Sequence, residues 1–204
     1  MRGARSGEAG DDEHVSEVQR VSVAYPGGLS ARFRWGGSGS GDDVFALSEG
    51  SGDLTDHAPL AGGDADRMCR AELRVEGPLG TWTARFASPV FDEPTAILWD
   101  SEAQLVVAYG FIAYALASRT GELRWSHRSG TPLVAVLGST RLSHVIVQSE
   151  VETVALGPDG ERRWRVPHAD VIASAELVGG RLALTSYGGA VALLDPSSGR
   201  SIPA

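Results

Sequence analysis

The chain has no lysine and no asparagine, one cysteine and two methionines in 204 residues. Both absent residues have A-rich codons, so a GC-rich bacterial genome explains the gaps, and the abundance of arginine carries no functional signal. Cys69 alone cannot form an internal disulfide and has no companion for a metal cluster. No run approaches the ~18 apolar residues of a membrane-crossing helix, so no membrane partner is expected. The opening MRGARSGEAGDDEHVSEVQR lacks the apolar core of a secretory signal. These absences point to a soluble, cytoplasmic protein. The signatures of common chemistries are missing too. There is no G-x-S-x-G elbow, no phosphate-binding P-loop, no strand followed by G-x-G-x-x-G, and no H-E-x-x-H.

What is present begins with charge and core. The formal net charge is −8, and Asp42, Asp43, Glu49, Asp53, Asp56, Asp64 and Asp66 lie between Trp35 and Arg67 with no basic residue among them. The rest of the chain is close to neutral, so no basic face for nucleic acid is expected. The acidic window could recruit a basic protein partner; the plainer reading is a solvated loop. Apolar residues make up 42% of the chain and include five tryptophans, enough for a packed core.

The C-terminal half repeats itself. Gly121, Gly160 and Gly199 are each 39 residues apart, as are Trp125 and Trp164. Ahead of each glycine stand two short apolar runs: LVVAYGFIAYAL (105–116), VIVQSEVETVAL (145–156) and ALTSYGGAVALL (183–194). A further apolar segment precedes each pair, TAILW (95–99), LVAVL (133–137) and VIASAEL (171–177). Runs this short and this rich in β-branched residues read as strands. Four antiparallel strands in about 40 residues is the unit of a β-propeller blade. Glycine supplies the positive φ that finishes the turn before the outermost strand. The tryptophan that follows is expected to be buried against the neighbouring unit.

The pattern Ala115, Thr120, Gly121, Trp125 resembles the tryptophan-docking motif of the PQQ-like propeller repeat, the repeat of quinoprotein dehydrogenases and of an outer-membrane assembly lipoprotein family. Ala117 stands where that motif usually has aspartate. The second copy keeps Ala155, Gly160 and Trp164 with a turn one residue shorter. The third keeps Asp195, Ser198 and Gly199 and ends before a tryptophan. The resemblance covers residues 95–202 and implies an all-β fold of antiparallel four-stranded blades, a small or partial propeller. It implies no cofactor here. Quinoprotein dehydrogenases are far longer, exported and closed into a calcium-bearing ring, and the assembly lipoproteins carry a lipidated cysteine near the start, whereas Cys69 is mid-chain.

The N-terminal half is less regular. Residues 1–16 read as disordered, and 17–94 as hairpins interrupted by the acidic, glycine-rich loop 36–66. VQRVSVAYPGGLSARFRW (18–35) and CRAELRVEGPLGTWTARF (69–86) are the hairpins, turning at Pro26–Gly28 and Gly77–Gly80. FALSEGSGDL (45–54) parallels YALASRTGEL (114–123) but lies off the period. Residues 95–204 hold three blade repeats, too few to close a ring. Either the N-terminal hairpins cap the array, or two chains associate as a homodimer that closes the propeller. Because the third unit lacks an outer strand and ARFRW resembles ELRW, residues 31–35 are expected to complete it, with Trp35 as the missing anchor.

The candidates for chemistry are few. His127 and His168 both follow a docking tryptophan and, with Asp170, could meet on one propeller face as ligands or acid–base groups. The alternative is exposed loop histidines. Asp64 and Asp66 form a weak calcium pattern, and no metal is expected. The remaining histidines are His14, His57 and His144. Cys69 reads as a packed strand residue. The sequence therefore points to a non-catalytic protein-binding or scaffold module; the alternative is a small-molecule-binding or hydrolytic protein with its site on the propeller face.

Overall fold

The computed structural model describes residues 18–37 and 68–203. Residues 1–16, the acidic loop beyond Gly37, FALSEGSGDL, His14, His57, Asp64 and Asp66 therefore lie outside the described residues. The described residues fold into four antiparallel sheets in sequence order. The first holds β1 (Gln19–Tyr25), β2 (Leu29–Gly36), β3 (Cys69–Gly77) and β4 (Gly80–Ser88). The second holds β5 (Thr95–Trp99), β6 (Gln104–Tyr109), β7 (Ile112–Ala117) and β8 (Leu123–Arg128). The third holds β9 (Leu133–Leu137), β10 (Val145–Ser149), β11 (Glu152–Leu156) and β12 (Arg162–Pro167), and the fourth β13 (Ile172–Val178), β14 (Arg181–Ser186) and β15 (Val191–Leu194). Each sheet is a meander, and the four form a partial β-propeller. No helix among the described residues is long and apolar enough to cross a membrane.

Three apolar cores lie between the four sheets. Phe33, Trp35, Leu73 and Phe86 of the first sheet meet Leu105, Val107, Tyr109 and Tyr114 of the second. The opposite side of the second sheet sends Val106, Ala108, Ala113 and Ala115 against Leu133, Val147 and Val154 of the third. The third core joins Ile146 to Ile172, Leu182, Leu184 and Leu194. This explains the unbroken apolar run at 105–116: β6 and β7 are buried on both faces, so neither face needs polar alternation. β3 alternates instead, with Ala71, Leu73 and Val75 buried and Arg70, Arg74 and Glu76 on the other face, because among the described residues only one side of the first sheet packs on another sheet.

That outer side of the first sheet departs from expectation. Register places Arg20, Arg34, Glu72 and Arg85 in one row and Arg32 and Arg74 in the next, with Arg70 and Glu76 on the same face. Net charge along the sequence suggested no basic face, yet the fold gathers six arginines and two glutamates on one sheet surface. Ion pairs link Arg32 and Arg74 to Glu76 and Arg85 to Glu72.

The place expected for residues 31–35 is corrected. They lie inside β2, paired to β1 from Gln19↔Trp35 to Tyr25↔Leu29 and to β3 through Trp35↔Ala71, and not to β15. Local hairpin pairing across the Pro26–Gly28 turn outcompetes a long-range partner, because a short loop closes at little entropic cost. The fourth sheet keeps three strands. Its outer strand begins only as the Leu194↔Ser201 bridge and the bond from Ile202 N–H to Leu193 C=O, at 2.8 Å. Pro203 stands 78 residues, two repeat periods, beyond Trp125.

Candidate functional site

The strand directions sort the loops into two groups. The turns that close β1–β2, β3–β4 and their counterparts in each sheet gather at one end of the array, here called the turn face. The connections between sheets, and the β6–β7, β10–β11 and β14–β15 turns, gather at the other.

His127 and His168 belong to the second group. His127 sits on β8 opposite Ala113. His168, just past β12, holds its Nε2 2.7 Å from Thr153 Oγ1. Gln148 donates from Nε2 to the carbonyls of Ser149 at 2.6 Å and Glu152 at 3.1 Å. Its Oε1 is therefore the acceptor for the Thr153 hydroxyl proton, which leaves Thr153 Oγ1 to accept from His168 Nε2–H. His168 Nε2 thus carries a proton and is committed to an internal chain of hydrogen bonds. Burial pushes both histidines below the usual imidazole range; the nearby Glu152 carboxylate opposes this for both, and Arg162 reinforces it for His127. Glu152 itself pairs with Arg165. Asp170 accepts from the Val171 backbone N–H at 2.9 Å. Among the described residues no group of three histidine, cysteine, aspartate or glutamate side chains is placed to hold a metal. The shared neighbour of the two histidines is Glu152, which sequence reasoning passed over along with Gln148 and Thr153. A signal existed: Gln148 and Thr153 stand where the preceding unit has Ala108 and Ala113, 40 residues earlier, and polar residues inside an apolar run require partners.

The turn face carries three of the five tryptophans on glycine turns of the next sheet: Trp82 on Gly121, Trp125 on Gly160 and Trp164 on Gly199. These glycines have φ of +73°, +80° and +71°. A Cβ there would stand 2.5 Å from Trp82 Cε3, 2.8 Å from Trp125 Cβ and 2.7 Å from Trp164 Cε3. Glycine is needed twice over, for the left-handed backbone and for the ring. Trp82 Nε1 donates to Ser118 C=O and Trp125 Nε1 to Pro158 C=O, each at 3.0 Å. At the third seam His144 Nε2–H donates to the Pro196 carbonyl at 2.8 Å, and the buried Trp164 Nε1 has no hydrogen-bond partner among the described residues. The His144 and Trp164 rings meet edge to face at 5.8 Å. Trp82, which sequence reasoning left without a role, anchors the first seam. Its 43-residue distance from Trp125 hid it from a 39-residue period. Trp35 packs in the same core from the first sheet's interior.

Beside these anchors the turn face holds a two-lobed groove. One lobe, of about 350 Å³, follows the seam between the first and second sheets and is walled by Leu29, Val75, Leu79, Trp82 and Leu98. The other, of about 630 Å³, lies where β1, β5 and β9 end, between Tyr25, Ile97, Trp99, Ser139 and Thr140. Gly138 permits this wall, since a Cβ there would stand 2.7 Å from Ile97 Cδ1. The lobes share Pro26, Leu98 and Asp100. Tyr25 donates its hydroxyl to Ala96 C=O at 3.1 Å, and burial pushes its pKa up to about 12, so that wall is neutral. Leu79 is 70% exposed at the lip. Neither Asp100 nor Arg119, the charged residues of the lining, enters an ion pair among the described residues.

Comparison with known proteins gives the fold company. No protein-family model and no curated protein sequence matches the chain. Among solved structures it is similar to BamB from Moraxella catarrhalis, at 13% identity and TM-score 0.55, over 89% of this chain and 50% of that one. It is similar to the computationally designed Ika8 protein, at 11% identity and TM-score 0.50, over 84% and 57%. The Neurospora crassa Pan2 WD40 domain aligns at 15% identity and TM-score 0.47, over 67% and 45%. The chain spans about half the length of the BamB chain. At these identities the likeness is one of fold, that of a β-propeller.

Proposed function

We propose that the chain is a cytoplasmic protein-binding module built from PQQ-like blades, which engages its partner through the turn face. The observation that carries this reading is the two-lobed apolar groove, whose first lobe lies beside the docked pair of Trp82 and the Gly121 turn. Sites of recognition are commonly presented this way, on loops over a stiff frame. At the other end His168 Nε2 is engaged in an internal bond to Thr153, which favours recognition over hydrolysis.

The test is a photo-reactive side chain placed at Leu79, with a second at Glu176 on the fourth sheet as control, irradiated in extracts of the source cells. A discrete adduct to one other protein from position 79 and none from 176 is expected. Absence of an adduct at 79 would count against the turn face as the docking surface.

A further inference from the structure

Resting on that reading, we propose that the groove takes an extended peptide segment of the partner, with apolar side chains in the two lobes and a lysine or arginine between them on Asp100. Three observations converge. Both lobes are lined mainly by aliphatic and aromatic side chains, which calls for apolar anchors. The wall they share bears the Asp100 carboxylate, which has no ion-pair partner among the described residues, while Arg119 lines the first lobe alone, so a cationic side chain is the complementary group where the lobes meet. And the two lobes adjoin at Pro26, Leu98 and Asp100, so an occupant that fills both must pass from one to the other, which suits an extended chain better than a compact ligand.

An extended segment turns side chains i, i+2 and i+4 to one side over about 13 Å. The chemistry recognised is therefore apolar–x–basic–x–apolar.

The experiment uses the full chain and a fluorescent peptide centred on Leu-Ser-Arg-Ser-Leu, with twins carrying Glu or Ser in place of Arg, titrated by anisotropy. The Arg peptide should bind at least about tenfold tighter than its Glu twin. Asp100→Arg should reverse that order, and Leu79→Asp should weaken every peptide. Both positions are exposed, so the variants should keep the parent's thermal unfolding, measured alongside. Equal binding of the Arg and Glu peptides, an order unchanged in Asp100→Arg, or no binding of any peptide to the folded chain would each overturn the proposal. A position-79 adduct combined with any of these results would leave the protein-binding reading standing and remove only the peptide chemistry.

Discussion

At the scale of single residues, the seams depend on tryptophan–glycine pairs. Trp82 is nearly buried and its ring covers Gly121, so Trp82→Ala should cost about 3–5 kcal/mol in denaturant unfolding. Gly121→Ala should also destabilise, through the left-handed backbone and through the ring. In a Trp82→Ala background the ring is gone and only the backbone penalty of about 1–2 kcal/mol remains. The two changes are therefore expected to be less than additive in a double-mutant cycle; strict additivity would mean that the ring and the turn are not in contact. His127 and His168 make a second residue-scale prediction. Held below their ordinary value of 6.5, they bind fewer protons folded than unfolded as pH falls through that value. Stability should then decline on acidification below about pH 6.5, and His168→Gln should flatten that part of the curve relative to the parent chain. An unchanged pH dependence in the variant would show that His168 is not held neutral by its surroundings.

The element scale is where sequence reading and structure part company. The C-terminal repeat was legible because its strands, glycines and tryptophans recur at a fixed interval, and each blade must solve the same packing problem. The first sheet was legible only as two separate hairpins. What joins them is the β2–β3 ladder from Ser30↔Glu76 to Gly36↔Arg70, formed by strands separated by the acidic loop and therefore without a local signal. That ladder brings Gly36 and Arg70 side by side, so the intervening segment need not direct the pairing. Replacing residues 38–67 with a short Gly-Ser turn is expected to leave the sheet intact, and shortening the loop should lower its closure entropy slightly. Loss of the cooperative unfolding transition in this variant would show that the segment contributes to the sheet.

For the whole molecule, the two ends of the array differ. The first sheet ends in its arginine-rich face, as a polar cap should. The fourth leaves Val178, Tyr187 and Val191 exposed. Head-to-tail closure by a second copy would set guanidinium groups against those apolar side chains, with a desolvation penalty of several kcal/mol for each ion left unpaired. The chain is therefore expected to sediment as a monomer across a wide concentration range; a stable two-chain species would show that these faces do meet, as ring closure requires.

The sequence by itself determined the blades, because strand length, turn glycines and docking tryptophans are local features repeated at a constant spacing. It also marked the lack of any familiar catalytic motif. Tertiary structure alone decided that Trp82 anchors the first seam, that residues 31–35 belong to the first sheet, that His168 is tied to Thr153 and Gln148, and that Asp100 lies between two apolar lobes. These are contacts between residues far apart in the chain or on different sheets. Only the packing of one sheet on the next brings them together, and no periodicity along the chain encodes where a seam opens into a groove.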